Sequence, residues 1–104
     1  MIEVFEPVEV GRQMAGIDFQ PIRVDTASVD EDGRLILWRG RLIGVLVRLE
    51  GEEQGHLKGH WSLEAAFGPL DGRRPEPFID LHAARAWAEA TVREALGNRQ
   101  TIRR

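Results

Sequence analysis

The chain has 104 residues, is 42% hydrophobic and 30% charged, and carries a formal net charge of −3. That size and composition fit one soluble globular domain with a modest core. Cysteine and tyrosine are absent, which excludes disulfides, thiolate nucleophiles, cysteine-bound zinc and phenol acid–base chemistry.

No apolar run approaches the roughly 18 residues that cross a bilayer. The N-terminal stretch MIEVFEPVEV lacks both the basic start and the apolar centre of a signal peptide. A cytoplasmic location without a membrane partner is the expectation. Thirteen of the fourteen cations are arginine, Lys58 being the one lysine. A GC-rich bacterial coding genome accounts for that bias, although arginine also suits bidentate carboxylate or phosphate contacts.

In chain order, Ile2, Val4, Val8 and Val10 alternate at period two, and Pro7 restricts this stretch to an edge or interrupted strand. Residues 11–16 read as a loop. Ile22 and Val24 alternate after Pro21, which predicts a short strand within 18–26, and the acidic run to Gly33 predicts a turn. The tetrapeptide GRLI occurs at 33–36 and again at 40–43, as two strands of one hairpin turning at Arg39-Gly40. Arginine is a poor occupant of a position that needs positive φ, so a three- or four-residue loop competes with a two-residue one.

Strict alternation over 42–49 places Ile43, Val45, Val47 and Leu49 on one face, and Leu42 and Leu46 on the other, as in a central strand. After the acidic loop 50–55, HWSLEAAF over 60–67 reads as a strand with Trp61, Leu63, Ala65 and Phe67 on one face. Residues 68–77 form a long Gly/Pro-containing connection. The last element is a helix, with Asp80 at the N-cap and Gly97 as terminator. Its apolar stripe runs through Leu81, Ala84, Trp87, Ala88, Thr91, Val92, Ala95 and Leu96. The expected plan is α+β: an antiparallel sheet of four to five strands followed by one C-terminal amphipathic helix packed on one face. The domain spans residues 1–97, with 98–104 as a frayed tail.

A helix is roughly 10 Å wide and strands are spaced about 4.8 Å, so one helix covers little more than half of one face of such a sheet. Either the sheet curls into a partial barrel or a second chain covers what is left. A homodimer is the expectation. Trp38, Ile36, Leu42 and Leu46 are the interface candidates, with Trp38 as the anchor because tryptophan is enriched among binding hot spots.

The stretch GHLKGHW over 55–61 is the one motif that suggests a ligand. His56 and His60 would share a helix face, but Gly55 and Gly59 oppose a helix, and on a strand the two would stand roughly 13 Å apart. They are weak metal candidates; the expected reading is a polar loop entering a strand at Trp61, with no cofactor implied. Asp30, Asp32 and Gly33 resemble the start of a calcium loop but lead straight into an apolar strand. Ser62 lies near His60 without a nucleophile elbow, and no phosphate-binding glycine pattern opens a helix. No catalytic residue is assigned and no enzyme is expected.

Arg73 and Arg74 in the long loop, with Arg99, Arg103 and Arg104 in the tail, would form a basic edge. Trp38 or Trp61 would serve as a stacking platform on the open face. The net negative charge and the acidic clusters at 30–32 and 50–53 disfavour nucleic acid as the partner. The run Phe78, Asp80-Leu81, Ala84, Trp87-Ala88 resembles the closing segment of many small bacterial β-sheet-plus-helix domains; it reflects capping and packing and carries no functional residues across. The expected function is association, with itself or another protein, through a sheet face or edge. A nucleic-acid-binding regulator and a small-molecule or metal-binding protein using the 55–61 loop are the alternatives.

Overall fold

A computed structural model defines the fold and describes residues 16–103, with side chains through residue 97. The strand expected over 2–10 lies outside the described residues. Four strands, β1 (Ile17–Arg23), β2 (Asp32–Trp38), β3 (Arg41–Arg48) and β4 (Trp61–Ala66), form an antiparallel meander in sequential order. One helix, α1 (Leu81–Arg103), follows. This is the α+β plan that the hydrophobic pattern predicts.

The β2–β3 turn has two residues, with Arg39 at φ 56° and Gly40 at φ 75°. Two consecutive positive φ values suit the right-handed twist of the flanking strands. Arg39 tolerates the position while its guanidinium lies 4.7 Å from the centroid of the Trp38 ring, a cation–π contact that offsets part of the backbone cost.

Two register shifts decide which side chains meet the helix. Ile36 pairs with Gly44 and Leu37 with Leu42, so Ile43 is an extra residue in β3. Val45 pairs with Ala65 and Leu46 with Leu63, so Glu64 is an extra residue in β4. A bulge of this kind resets the alternation of faces by one residue. Ile43 therefore leaves the face of Val45 and joins Leu46 in the core under α1, where strict alternation would have separated them. In β4, Trp61, Leu63 and Ala66 pack towards the helix, while Ala65 and Phe67 fall on the other side.

The core brings together Ile17, Ile36, Ile43, Leu46, Trp61 and Leu70 with Ala84, Ala88 and Val92 of α1. Ile36, Leu46 and Leu70 are fully buried, each contributing about 1.5–3 kcal/mol of transfer free energy. Leu70 arrives from the long connection: a short 3₁₀ turn over Gly68–Leu70 delivers it beneath the helix. Alanines at 84 and 88 let α1 approach the sheet closely. Thr91 is the one buried polar residue among those described, and its hydroxyl donates to the Trp87 carbonyl at 2.7 Å. Phe78 and Trp87 pack at 5.3 Å between ring centroids with their planes tilted by 47°.

Asp80 caps α1 as expected: its Oδ1 accepts the Ala83 amide at 2.9 Å. Gly97 does not terminate the helix, which runs on to Arg103. A glycine within a helix costs only about 1 kcal/mol relative to alanine, too little to stop a helix that is already packed. Asp80→Ala is expected to lower unfolding free energy by about 1 kcal/mol; urea denaturation followed by helix circular dichroism checks it, and an unchanged midpoint would show that the cap is dispensable.

Candidate functional site

The side chains on the face away from α1 form the candidate surface. In β1 these are Asp18, Gln20 and Ile22; in β2, Gly33, Leu35 and Leu37; in β3, Leu42, Val45 and Val47; Ser62, Ala65 and Phe67 continue the face across β4. At the end away from the hairpin, side chains of β1 and the residue after it pack over β2. Ile22, Gly33 and Val47 lie in one row across β1, β2 and β3. An added Cβ at Gly33 would sit 2.6 Å from Val24 Cγ2 and 3.2 Å from Ile22 Cγ2. The missing side chain thus lets Ile22 and Val24 lean over the strand, and Val47, next in the row, is only 2% exposed.

At the hairpin end no element of the described chain covers the sheet. There Leu42 is 43% and Phe67 46% exposed, beside the half-buried Leu35, Leu37 and Val45. Of the other three exposed large apolar residues, Ile22 lies at the far end of the same face, 40% exposed, while Val29 and Ile79 stand singly in loops; single exposed apolar residues are ordinary for a protein surface.

Of the four residues singled out from the sequence, Leu42 alone is on this patch. Ile36 and Leu46 are 0% exposed in the core, and Trp38 is half-buried against that core with Arg39 over its ring. The bulge at Ile43 is the reason: it separates Leu42 from Leu46 in phase. Trp61 also belongs to the helix side, 7% exposed, with the Arg34 guanidinium 5.0 Å from its ring centroid. Neither tryptophan is a stacking platform on the open face. Phe67 was placed with the core by alternation; the one signal against that was the Ala65-Ala66 pair, which fits either phase.

Both sheet edges are blunted. Pro21 removes one N–H from β1, and the Arg85 guanidinium donates to the Ile17 carbonyl while lying 4.8 Å from the Phe19 ring. On β4, Trp61 and Phe78 exchange both backbone hydrogen bonds, at 2.8 and 2.7 Å.

The GHLKGHW stretch is the closing part of a loop. A 3₁₀ segment over Glu52–Leu57, kinked at Gly55, precedes a turn in which His60 N–H donates to the Leu57 carbonyl at 2.9 Å. His56 is exposed, His60 half-buried, and β4 starts at Trp61. Among the described residues no group of three His, Asp or Glu side chains is arranged to hold an ion. The other polar candidates are engaged: Ser62 Oγ with Glu64 at 2.7 Å, Asp30 with the Glu50 amide at 2.6 Å, and Asp32 with Arg34 at 2.7 Å.

Arg73 reaches Glu94 at 3.4 Å, and Arg74 is exposed. The two arginines line a cleft of about 360 Å³ beside β4 together with Glu64 and Asp71, so the charges there balance. Arg99 and Arg103 lie in the last turns of α1. No helix of the described chain is long and apolar enough to cross a membrane. In comparisons with protein-family models, curated proteins and solved structures, the chain matches none.

The loop's one perturbed pair is Glu52 with Lys58. Lys58 Nζ donates to Glu52 Oε2 at 2.5 Å. That hydrogen bond, reinforced by the charge, holds the Glu52 carboxyl below its ordinary range and the Lys58 ammonium above its own. A lowered carboxyl stabilises above its unfolded pKa and ceases to do so as pH falls through its folded one. A raised ammonium stabilises below its unfolded pKa and ceases to do so as pH rises through its folded one. The pair is therefore complete at neutral pH and lost at both extremes. Amide-exchange protection factors over residues 52–59 should fall on acidification into the carboxylate range while that of Ile36 holds. Glu52→Gln should flatten the acid response; an unchanged response would mean that the pair does not order the loop.

Proposed function

We propose that this chain acts by association and not by catalysis, as a homodimer in the cytoplasm of a bacterial cell, docking through the uncovered face of its sheet. The observation that carries the reading is the apolar patch at the hairpin end, where Leu42 and Phe67 are nearly half exposed among Leu35, Leu37 and Val45. A cluster of exposed apolar side chains on the face opposite the helix is the kind of surface through which proteins associate. Two such faces stack about 10 Å apart with their side chains interleaved. A face serves better than an edge here, since Pro21, Arg85 and Phe78 occupy the edges.

Burial of an exposed leucine or phenylalanine is worth about 1.5–3 kcal/mol each, and a self-complementary patch gains this on both copies. Sedimentation velocity across a concentration series tests the reading. The native chain should sediment as a dimer. The double substitution Leu42→Asp with Phe67→Asp should weaken the dimer by a hundredfold or more, about 3 kcal/mol, with the helix signal unchanged. A native chain that is monomeric at every concentration would overturn the proposal.

A further inference from the structure

The dipeptide Asp-Gly occurs twice in the chain, at Asp32-Gly33 and at Asp71-Gly72. It is the pairing in which an aspartate is least hindered from reacting with its own backbone. The amide nitrogen of the glycine attacks the side-chain carboxyl carbon. A new N–C bond replaces a C–OH bond, and the amide proton leaves with the hydroxyl as one water. The product is a five-membered succinimide, which water reopens at either carbonyl. Opening at the side-chain carbonyl restores aspartate. Opening at the main-chain carbonyl leaves isoaspartate, with the backbone routed through the side-chain carbon. Glycine favours the attack because it has no Cβ beside the nitrogen and lets the peptide unit turn freely. The two sites therefore differ only in how the fold holds them.

Asp32-Gly33 is held on every side. Both residues belong to β2, where Gly33 pairs with Ile22 in β1 and with Val47 in β3. Turning the peptide between them would break the ladder. The Asp32 carboxylate is engaged as well: its Oδ1 accepts the Arg34 guanidinium at 2.7 Å.

Asp71-Gly72 has none of these restraints. The two residues are the middle of a four-residue turn, with Asp71 at φ −58° and ψ 135° and Gly72 at φ 83°. That is the type II geometry, in which the third position requires positive φ. The turn is closed by the Arg73 N–H donating to the Leu70 carbonyl at 3.1 Å. Among the described residues the Gly72 amide donates to no backbone carbonyl, and the Asp71 carboxylate has neither an ion pair nor a hydrogen bond. Both residues are exposed. A Cβ added at Gly72 would meet nothing within 4 Å, so there is open space for the ring.

We infer that Asp71 is a site of spontaneous isomerisation, through a succinimide formed with Gly72, and that the sheet protects Asp32 from the same reaction. The product lengthens the main chain by one carbon between two anchored residues. Leu70 on one side is fully buried, and Arg73 on the other reaches Glu94. The change falls on the wall of the cleft beside β4, which Asp71 and Gly72 line.

Trypsin separates the two sites, releasing residues 24–34 and 59–73 as different peptides. The full chain is kept warm at neutral pH, folded in one sample and unfolded in guanidinium chloride in another, then digested at intervals. Electron-transfer fragmentation reads isoaspartate at each position, because the two isomers give different backbone fragments. In the folded sample isoaspartate should accumulate at 71 while 32 stays at its starting level. In the unfolded sample both positions should gain it at similar rates. A folded chain that gains none at 71, or gains it equally at 32, would overturn the inference. An unfolded chain that reacts at 71 alone would show that sequence neighbours and not the fold decide, and would overturn it as well.

Discussion

Two extra residues, Ile43 in β3 and Glu64 in β4, set everything else in this structure. Each inserts one residue against an unbroken partner strand, and each thereby moves the following side chains across the sheet. Without the first, Ile43 would leave the core, and Leu42 and Leu46 would share a face. Without the second, Phe67 would point at the helix and Ala66 away from it. The bulges gather Ile36, Ile43, Leu46, Trp61 and Leu63 under α1, and they do so by turning Leu42 and Phe67 outward. The buried face and the exposed patch are consequences of the same two insertions.

The helix then imposes its own limit. It caps cleanly at Asp80 and brings alanines at 84 and 88 against the strands, but a cylinder about 10 Å wide cannot reach both faces of a four-stranded sheet. At the end away from the hairpin the chain shields Val47, which is 2% exposed, while Ile22 beside it stays 40% exposed. Gly33 admits Ile22 and Val24 over β2, and the amide of Glu50 bonds to Asp30 to join the two loops there. The hairpin half has no such cover among the described residues. Surface ion pairs contribute little to stability, since exposed pairs are typically worth well under 1 kcal/mol.

Much of this was readable from the residues. The helix announced itself through the cap at Asp80 and a 3.6-residue stripe, the hairpin through its repeated GRLI, and the histidine loop through glycines that oppose a regular α-helix. What alternation could not show was where it breaks. In HWSLEAAF apolar residues occupy 61, 63, 65, 66 and 67, so a strand with a bulge and one without fit equally well. The same holds for LIGVLV, where only the pairing with β2 identifies Ile43 as the extra residue. Leu70 was hidden by its Gly-Pro surroundings, because connection residues bury side chains only through tertiary contacts. The unbroken period groups Leu42 with Ile36, Leu46 and Trp38, and only the bulge separates it from them; alternation also does not say which of the two faces the helix covers.

The central claim is that the hairpin half of the outer sheet face is covered by a second copy. Solvent accessibility of individual methyl groups to a soluble paramagnetic agent tests it most directly, measured by NMR on dilute and concentrated samples. The Leu37, Leu42 and Val45 methyls should be broadened in the dilute sample and shielded in the concentrated one, while those of Ile36 and Leu46 stay shielded in both. Patch methyls that remain equally accessible at every concentration would contradict the account.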